Sequence, residues 1–356
     1  MDLLQKHIIQ STDSIKDAIK KIDVNNVNML VVLDPSNRVL GVFTMGDFRK
    51  AVLKGLDINH DVSNVTNHEY LSLNRDFTEK EACHLFETVS DLPVIDNGKL
   101  VDVIARNEFL PAGEVNCANG KIQNVPVVIM AGGKGTRLDP FTRILPKPLI
   151  PIGTDAMIKV VMDEFARYGM NDFFITLNEK ARMIKAYFHD HNHGYQIQYI
   201  EESKPLGTAG ALKLLSGKVE DAFFVCNCDI IIHTDYSSIY EFHQRGSFEL
   251  TLIASMQQYT IPYGVCEINK DGTLKEICEK PDYDFLVNTG LYILNPSLLE
   301  LIPDNTYFDM TDLIKKEQEN GLKVGVFPIS EKSWIDVGQL GEYKRMVNKL
   351  SLRQVP

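Results

Sequence analysis

From Val125 onward, the pattern of apolar and polar residues predicts strands and helices in alternation. Short β-branched runs indicate buried strands, whereas apolar residues spaced three and four apart indicate helices. Strands that alternate with helices favour an α/β domain with a mainly parallel central sheet. The predicted strands are Val127–Met130, Asp172–Leu177, Tyr195–Glu201 and Ala222–Cys228, and the predicted helices are Met157–Tyr168, Ala181–Phe188 and Ala211–Leu215.

The first third of the chain contains an internal repeat. Each copy is an apolar strand, a turn and a second apolar strand, at residues 29–34 and 40–44 and again at 92–96 and 100–105. The repeat predicts a two-part domain over residues 1–113. The polar stretch 114–124, which contains a glycine, is typical of a linker, so the α/β domain covers residues 125–356. Helical spacing flanks the repeated strands at Ser14–Ile22, Gly46–Leu53 and Thr78–Thr88.

Composition and charge narrow the classes of function. The 356 residues are 44% hydrophobic and 24% charged, and the formal net charge is -11. This acidic balance argues against nucleic-acid binding, which needs clustered basic residues. The amino terminus lacks the pattern of a signal peptide, and no apolar run approaches the roughly 20 residues of a spanning helix. We therefore expect a cytoplasmic protein without a membrane partner.

One stretch, Val127–Gly153, concentrates residues suited to binding phosphate. Three glycines follow its strand within four positions, which lets the backbone turn sharply and come close to a ligand. Successive backbone N–H groups favour an anion there, and Arg137 and Lys147 add positive charge. We interpret the stretch as a loop that wraps a polyphosphate. It contains no P-loop string, and Leu138 stands where a dinucleotide fingerprint needs its third glycine.

The string Gly-Gly-x-Gly-Thr-Arg-Leu, followed by Pro-Lys-Pro, resembles the signature of sugar nucleotidyltransferases. Further motifs in the order of that family extend the resemblance over about residues 125–349. It implies a Rossmann-like nucleotidyltransferase fold in which the glycine loop and the segment Pro205–Gly210 hold the nucleotide. The implied nucleotide contacts are Ala131, Gly132, Gly133, Gly135, Thr136, Glu202, Gly207 and Thr208.

The same resemblance implies the catalytic, metal and sugar residues. Arg137 would hold the triphosphate, Lys147 would offset charge at the α-phosphate, and Lys280 would orient the attacking phosphate. Asp229, at the end of a predicted strand, and Asp336 would hold Mg²⁺, a cation that takes few carboxylates and leaves places for phosphate oxygens. The sugar 1-phosphate would lie among Tyr263, Gly264, Glu279, Asn288 and Thr289.

The repeat in the first third resembles a tandem pair of cystathionine-β-synthase (CBS) domains. In that family a Thr and an Asp after the second strand hold an adenosyl ribose and phosphate, which implies an adenosine nucleotide at Thr44 and Asp47. The second repeat has Ala105 and Glu108 at the matching positions, so at most one such site is implied. A module that only packs or dimerises fits the same pattern. We also expect a homo-oligomer.

Together the resemblances imply an enzyme that transfers a nucleoside monophosphate from an NTP to a sugar 1-phosphate and releases pyrophosphate. A CBS pair joined to a short transferase resembles the guanylyltransferases of bacterial legionaminic acid synthesis. That likeness implies GTP, an amino sugar such as glucosamine 1-phosphate, and an NDP-sugar for surface glycans. The alternatives are a uridylyl-, thymidylyl- or mannose-1-phosphate guanylyltransferase, and an inactive nucleotide-sensing module.

Glu202 bears on the choice of nucleotide. At this position thymidylyl- and uridylyl-transferring relatives commonly carry a glutamine, whose amide donates and accepts as uracil and thymine require. A carboxylate only accepts, which matches the adjacent N1–H and N2 donors of guanine and gives charge-assisted bonds. The neighbouring Glu201, or backbone groups, could read the base instead.

Overall fold

The structure is a computed structural model that describes residues 3–86, 88–106, 122, 124–178, 180–189, 194–339 and 341–343. The chain divides into two compact units, Met1–Ala118 and Asn119–Pro356. Of the predicted linker, only residues 122 and 124 lie within the described residues. No described helix is both long enough and apolar enough to cross a membrane.

The first unit contains the same arrangement of three strands twice among its described residues. In each copy a short strand pairs in parallel with a longer strand, which pairs antiparallel with the third. The internal repeat in the sequence is therefore a structural repeat. Its strands are β1 (Ile8–Gln10), β2 (Met29–Leu33), β3 (Val39–Thr44), β4 (Leu73–Asn74), β5 (Asp91–Asp96) and β6 (Lys99–Ala105); its helices are α1 (Ile15–Asn25), α2 (Met45–Leu53) and α3 (Glu79–Phe86), with 3₁₀ turns at Leu3–His7 and Val62–Val65.

Capping boxes fix where the first two helices begin. The Ser14 hydroxyl accepts the N–H of Asp17 at the start of α1, and Thr44 does the same for Asp47 at the start of α2. In both helices the aspartate carboxylate also accepts the backbone N–H of the capping residue. The two bonds satisfy N–H groups that a helix end otherwise leaves unpaired. The helices therefore start within one residue of the predicted positions.

The second unit mixes strands and helices as predicted, and they largely alternate except in the run of strands over residues 250–294. Its strands are β7 (Val127–Met130), β8 (Pro151–Ile152), β9 (Asp155–Ala156), β10 (Asp172–Leu177), β11 (Gln196–Glu201), β12 (Phe223–Asn227), β13 (Ile230–Ile232), β14 (Leu250–Thr260), β15 (Gly264–Ile268), β16 (Leu274–Glu279), β17 (Asp282–Leu294), β18 (Val324–Ile329) and β19 (Trp334–Asp336). Its helices are α4 (Phe141–Ile144), α5 (Met157–Ala166), α6 (Ala181–His189), α7 (Gly207–Gly210), α8 (Tyr236–Gly246) and α9 (Met310–Glu319), with 3₁₀ helices at Thr136–Leu138, Lys147–Leu149, Ala211–Leu215, Pro296–Leu301 and Glu331–Ser333.

Within the described residues, seven strands form the central sheet in the order β11-β10-β7-β12-β17-β14-β18. The first four pair in parallel, and β14 pairs in parallel with β18. Only β17 runs antiparallel to its neighbours, β12 and β14. The mainly parallel sheet is thus confirmed. β17 is antiparallel because the chain returns from β14 through the β15–β16 hairpin and not through a crossover helix.

Helices cover both faces of this sheet. Along β7, Val127 and Ile129 pack with residues of α5, α6 and α8, whereas Val128 packs with residues of α9 and the 3₁₀ helices on the other face. The predicted helix at Ala211–Leu215 is a 3₁₀ helix. Its buried residues Leu212 and Leu215 are three positions apart, which places them on one face of a helix with three residues per turn.

Glu317, on α9, is an ionisable group inside this core. Its exposed fraction is 0%, and neither carboxylate oxygen accepts a hydrogen bond of good geometry within the described residues. Burial and then the charge of Glu249 raise the pKa of Glu317 to about 7, and the nearby Leu250 N–H offsets this only in part. Because the folded protein then binds this proton more tightly than the unfolded chain, the free energy of unfolding falls as pH rises from about 4.5 to about 7.

We expect Glu317→Gln to raise the free energy of unfolding by about 1–3 kcal/mol at pH 8, because it removes a charge that burial disfavours. At pH 4.5 the effect should be small, since the native carboxyl group is already neutral. Thermal unfolding at both pH values measures the difference. Glu319→Gln, at an exposed position of the same helix, is the control. Equal shifts for the two variants at pH 8 would contradict the assignment.

Candidate functional site

A cavity of about 500 Å³ opens where the central parallel strands end. β10 and β12 lie on opposite sides of β7, so the chain connections diverge at this edge of the sheet. Such switch points form the crevice in which open α/β sheets bind ligands. The cavity brings together the predicted residues Gly132, Gly133, Gly135, Thr136, Arg137, Lys147, Glu202, Gly207, Thr208 and Asp229.

The glycine loop forms one wall of the cavity. It leaves β7 through the buried Ala131, whose N–H donates to the carbonyl and hydroxyl oxygens of Thr176, each at 3.2 Å. Gly135 has a φ of +67°, and a Cβ there would lie 2.8 Å from the Cβ of Lys147. A larger residue would therefore push the loop away from this lysine. Arg137 follows at an exposed position on the same wall.

Glu202 lines the cavity beside the glycine loop, whereas Glu201 forms a surface ion pair with Lys185. Glu202 Oε2 accepts the N–H of Leu206 at 3.0 Å. Its Oε1 lies so close to Gly132 that a Cβ on that glycine would be 2.3 Å away. Burial raises the pKa of Glu202, and the Leu206 N–H partly offsets this. The carboxylate is thus desolvated and faces the ligand space.

A segment distant in sequence holds the loop that follows Glu202. The Phe308 N–H donates to Leu206 O at 2.9 Å, and the Thr208 N–H and hydroxyl both donate to Asp309 Oδ1, at 3.0 and 3.2 Å. Gly207 has a φ of +83°, and a Cβ there would lie 2.7 Å from Phe308 O. Only glycine fits this approach, so the loop and the start of α9 form one unit.

The two predicted metal carboxylates lie on either side of Gly338. β13 and β19 pair so that Ile230 faces Asp336, and the Val337 N–H donates to the carbonyl oxygen of Asp229 at 3.0 Å. A Cβ on Gly338 would lie 1.9 Å from Asp229 Oδ2 and 3.0 Å from Asp336 Oδ1. The structure therefore brings Asp229 and Asp336 together, although they are far apart in sequence.

Lys147 forms an ion pair with Asp229 Oδ2, and the two side chains are only 12% and 4% exposed. No group of three or more His, Cys, Asp or Glu side chains that could enclose a metal occurs among the described residues. Burial raises the pKa of the adjacent Cys228 thiol to about 12, so it stays neutral. The donor set fits a hard cation that binds two carboxylates and completes its shell with phosphate oxygens and water.

The sugar-side residues lie outside the cavity lining and divide into two groups. The first is on the exposed β15–β16 hairpin, where Gly264 pairs with Glu279 and the Lys280 N–H donates to Tyr263 O at 3.3 Å. The hairpin register thus gathers these residues at its base. Their role toward a sugar phosphate stays a prediction.

The second group, Asn288 and Thr289, lies on β17. Asn288 Nδ2 donates to the Tyr292 hydroxyl at 2.7 Å, and its Oδ1 accepts the Gly290 N–H at 3.1 Å. Thr289 is 2% exposed, and its hydroxyl donates to Ile253 O at 2.8 Å. These side chains bond within the sheet, so sugar contacts at these two positions also stay a prediction.

Comparison with known sequences identifies both parts of the chain. Residues 126–351 match the nucleotidyl transferase family. The chain belongs to that family. Residues 5–54 and 62–113 match the CBS domain. The family resemblance, the nucleotidyltransferase fold with a mostly parallel sheet and the tandem CBS domains are all confirmed.

Among curated proteins, the chain is similar to a mannose-1-phosphate guanyltransferase of Yarrowia lipolytica, 37% identical over 187 residues that cover 49% of this chain and 50% of the relative. It is also similar to a UTP–glucose-1-phosphate uridylyltransferase of Synechocystis sp., 28% identical over 248 residues and 64% of each chain. The chain thus spans about half to two thirds of the length of these relatives.

Among solved structures, the crystal structure of HddC from Yersinia pseudotuberculosis is similar to this nucleotidyl transferase. It is 26% identical with a TM-score of 0.50, and the match covers 64% of this chain and 99% of that one. The shared fold extends over nearly all of that protein.

The residues that line the cavity without being predicted as site residues include Asn178, Asn227, Tyr307 and Asp309. Asn178 follows β10 directly and Asn227 ends β12, so the strand-end argument that selected Asp229 could have found both. Tyr307 and Asp309 come from the segment before α9 and reach the cavity only through tertiary contacts. No local pattern marks them as ligand residues.

In the CBS pair, Thr44 and Asp47 lie together but bond to each other. Asp47 Oδ2 accepts the Thr44 N–H at 3.0 Å and its hydroxyl at 2.8 Å, and Lys50 approaches Oδ1 at 3.2 Å. Asp47 is 5% exposed. These bonds stabilise the start of α2, and the adenosine role stays a prediction. In the second repeat, Ala105 ends β6 and Glu108 lies outside the described residues.

We expect Gly207→Ala to lower the free energy of unfolding by about 2–4 kcal/mol, because a Cβ in a left-handed backbone would meet Phe308 O. Gly217→Ala is the matched control, since Gly217 has a φ of +74° with nothing within 4 Å of its Cβ position. The Gly217→Ala control should lower the free energy of unfolding by only about 1–2 kcal/mol, which is the strain of a left-handed backbone. Denaturant unfolding compares the two, and equal losses would refute the close approach of residue 308.

Proposed function

We propose that this nucleotidyl transferase transfers GMP from GTP to a sugar 1-phosphate, an amino sugar such as glucosamine 1-phosphate, and releases pyrophosphate. The observation that carries the proposal is the single cavity shared by the glycine loop, Lys147, Glu202 and Asp229. It offers backbone donors and cations that suit phosphate, together with a desolvated carboxylate that suits a base. The relatives' names, a mannose-1-phosphate guanyltransferase and a glucose-1-phosphate uridylyltransferase, support the reaction type.

In the proposed reaction an oxygen of the sugar phosphate attacks the α-phosphorus of GTP. The bond from the α-phosphorus to the oxygen bridging to the β-phosphorus breaks, and pyrophosphate leaves with that bond's electron pair. The attacking phosphate is already ionised near neutral pH, so no general base is required. Catalysis then depends on positioning and on stabilising charge in the transition state.

The residues divide this work by position. The N–H groups of the glycine loop and Arg137 hold the triphosphate, and Lys147 offsets charge at the α-phosphate. Lys280, at the base of the exposed hairpin, orients the incoming phosphate. Asp229 and Asp336 would hold Mg²⁺, which supplies positive charge to the phosphate oxygens when bound. Because the chain is acidic overall, this local concentration of positive charge is what attracts the triphosphate.

The buried position of the Glu202 carboxylate supports GTP over UTP as the proposed substrate. Its carboxylate lines the cavity in a desolvated position, where two charge-assisted bonds from guanine N1–H and N2–H would compensate its burial. Uracil would present a carbonyl oxygen to the same carboxylate and be repelled. Uridylyl transfer is the second candidate function, because the uridylyltransferase relative matches 64% of this chain.

In the CBS pair we propose one adenosine-nucleotide site per chain at Thr44 and Asp47. The support is that these two side chains adjoin in the first repeat, while the second repeat carries Ala105 where Thr44 stands. Binding there would require the bond between the Thr44 hydroxyl and Asp47 to be exchanged for bonds to the ligand.

A screen of all NTPs against a panel of sugar 1-phosphates, read by pyrophosphate release, tests the function. We expect the highest kcat/KM with GTP and an amino sugar 1-phosphate. Glu202→Gln should lower the GTP preference by roughly tenfold or more, because an amide cannot accept both guanine donors. Glu201→Gln is the matched control. A higher kcat/KM with UTP, dTTP or CTP would refute GTP, and an unchanged preference in Glu202→Gln would refute its mechanism.

We expect activity to require Mg²⁺ and to fall by roughly 10²-fold or more in Asp229→Asn and Asp336→Asn, because each loses one charged ligand. Circular dichroism should show that both variants fold. Asp304→Asn, at an exposed position, is the control and should keep full activity. Full activity of either test variant, or of the native chain after chelation, would show that these carboxylates do not hold a required metal.

A further inference from the structure

We infer that the side-chain amide of Asn178 reads the same nucleobase as Glu202, by donating a hydrogen bond to the base carbonyl, O6 of guanine. Asn178 would then be a specificity-determining residue of the nucleotide site. The inference rests on the proposed guanylyl transfer.

The strand register places Asn178 beside Glu202. Leu177 of β10 pairs with Glu201 of β11, and the Glu202 N–H donates to Leu177 O at 2.8 Å. Asn178 and Glu202 are the next residues along these two parallel strands, and both line the cavity. A Cβ built on Gly132 would lie 2.3 Å from Glu202 Oε1 and 3.5 Å from Asn178 Cβ. The two side chains therefore meet at the same glycine of the loop.

The amide nitrogen of Asn178 is buried and has no hydrogen-bond partner among the described residues. A buried donor without a partner is unfavourable, and native proteins pair the large majority of buried side-chain polar atoms. Because Asn178 also lines the cavity, we assign an acceptor on the bound ligand as its partner. Glu202 Oε2 accepts the Leu206 N–H, and Glu202 Oε1 lies near the same Cβ position of Gly132 as Asn178 does.

The edge of guanine matches this order of groups. It presents, in a row, the N2 amino donor, the N1–H donor and the O6 acceptor. A carboxylate can take the two donors but repels O6, so full recognition needs a donor next to it. The Asn178 amide supplies that donor. Adenine carries an acceptor at N1 and an amino group at position 6, so the same pair of side chains disfavours ATP at both places.

The test compares kcat/KM for the native chain, Asn178→Ala and Asn178→Asp with GTP, ITP and the triphosphate of 2-aminopurine riboside. GTP and ITP carry O6, and 2-aminopurine does not. We expect Asn178→Ala to lower kcat/KM by roughly tenfold with GTP and with ITP, and to leave it unchanged within about twofold with 2-aminopurine. Asn178→Asp should lose more with GTP, roughly 10²-fold, because a carboxylate repels O6.

Asn171→Ala is the matched control, since Asn171 is an exposed asparagine just before the opposite end of β10. It should leave all three values unchanged. An equal loss with all three triphosphates in Asn178→Ala would assign Asn178 a structural role and overturn the inference, as would an unchanged kcat/KM. A native chain that prefers UTP, dTTP or CTP to GTP would instead overturn the proposed guanylyl transfer, and the O6 contact with it.

Discussion

Strand β7 has no exposed face, and the site depends on that constraint. Val127, Val128 and Ile129 are each 0% exposed, packed alternately against the two helical layers. Because β10 and β12 flank β7 in parallel, the chain leaves β7 at the sheet edge where both neighbouring strands also end. The glycine loop therefore emerges at the switch point, where the ends of the neighbouring strands supply Asn178, Asn227 and Asp229.

One buried ion pair lies in the cavity wall. Asp229 is buried, and an isolated carboxylate there would be strongly disfavoured, so its ion pair with Lys147 stabilises both groups. The pair also places a cation and a carboxylate beside the glycine loop. Glu202 has no cation at its wall in the described residues. Its Oε2 accepts the Leu206 N–H, which leaves Oε1 with capacity for donors on a ligand.

The part of the cavity around Glu202 joins residues from distant parts of the chain. The loop after Glu202 is fixed by the segment that starts α9, through Phe308 and Asp309. Glu317 lies buried near the other end of that helix. The position of the cavity wall around Glu202 thus depends on how α9 packs in the core, and not only on the local loop sequence.

The sequence by itself determined the α/β class, the internal repeat, the glycine loop and most bounds of the first parallel strands. These features depend on local periodicity and on motifs whose residues are adjacent in the chain. Only the tertiary structure decided that β17 is antiparallel and that Glu202, rather than Glu201, lines the cavity. It also decided that the carboxylates of Asp229 and Asp336 lie close together at Gly338. Strand pairing and side-chain direction set these features, and both depend on contacts between residues far apart in sequence. For the same reason Tyr307 and Asp309 were recognised as cavity residues only once α9 was packed.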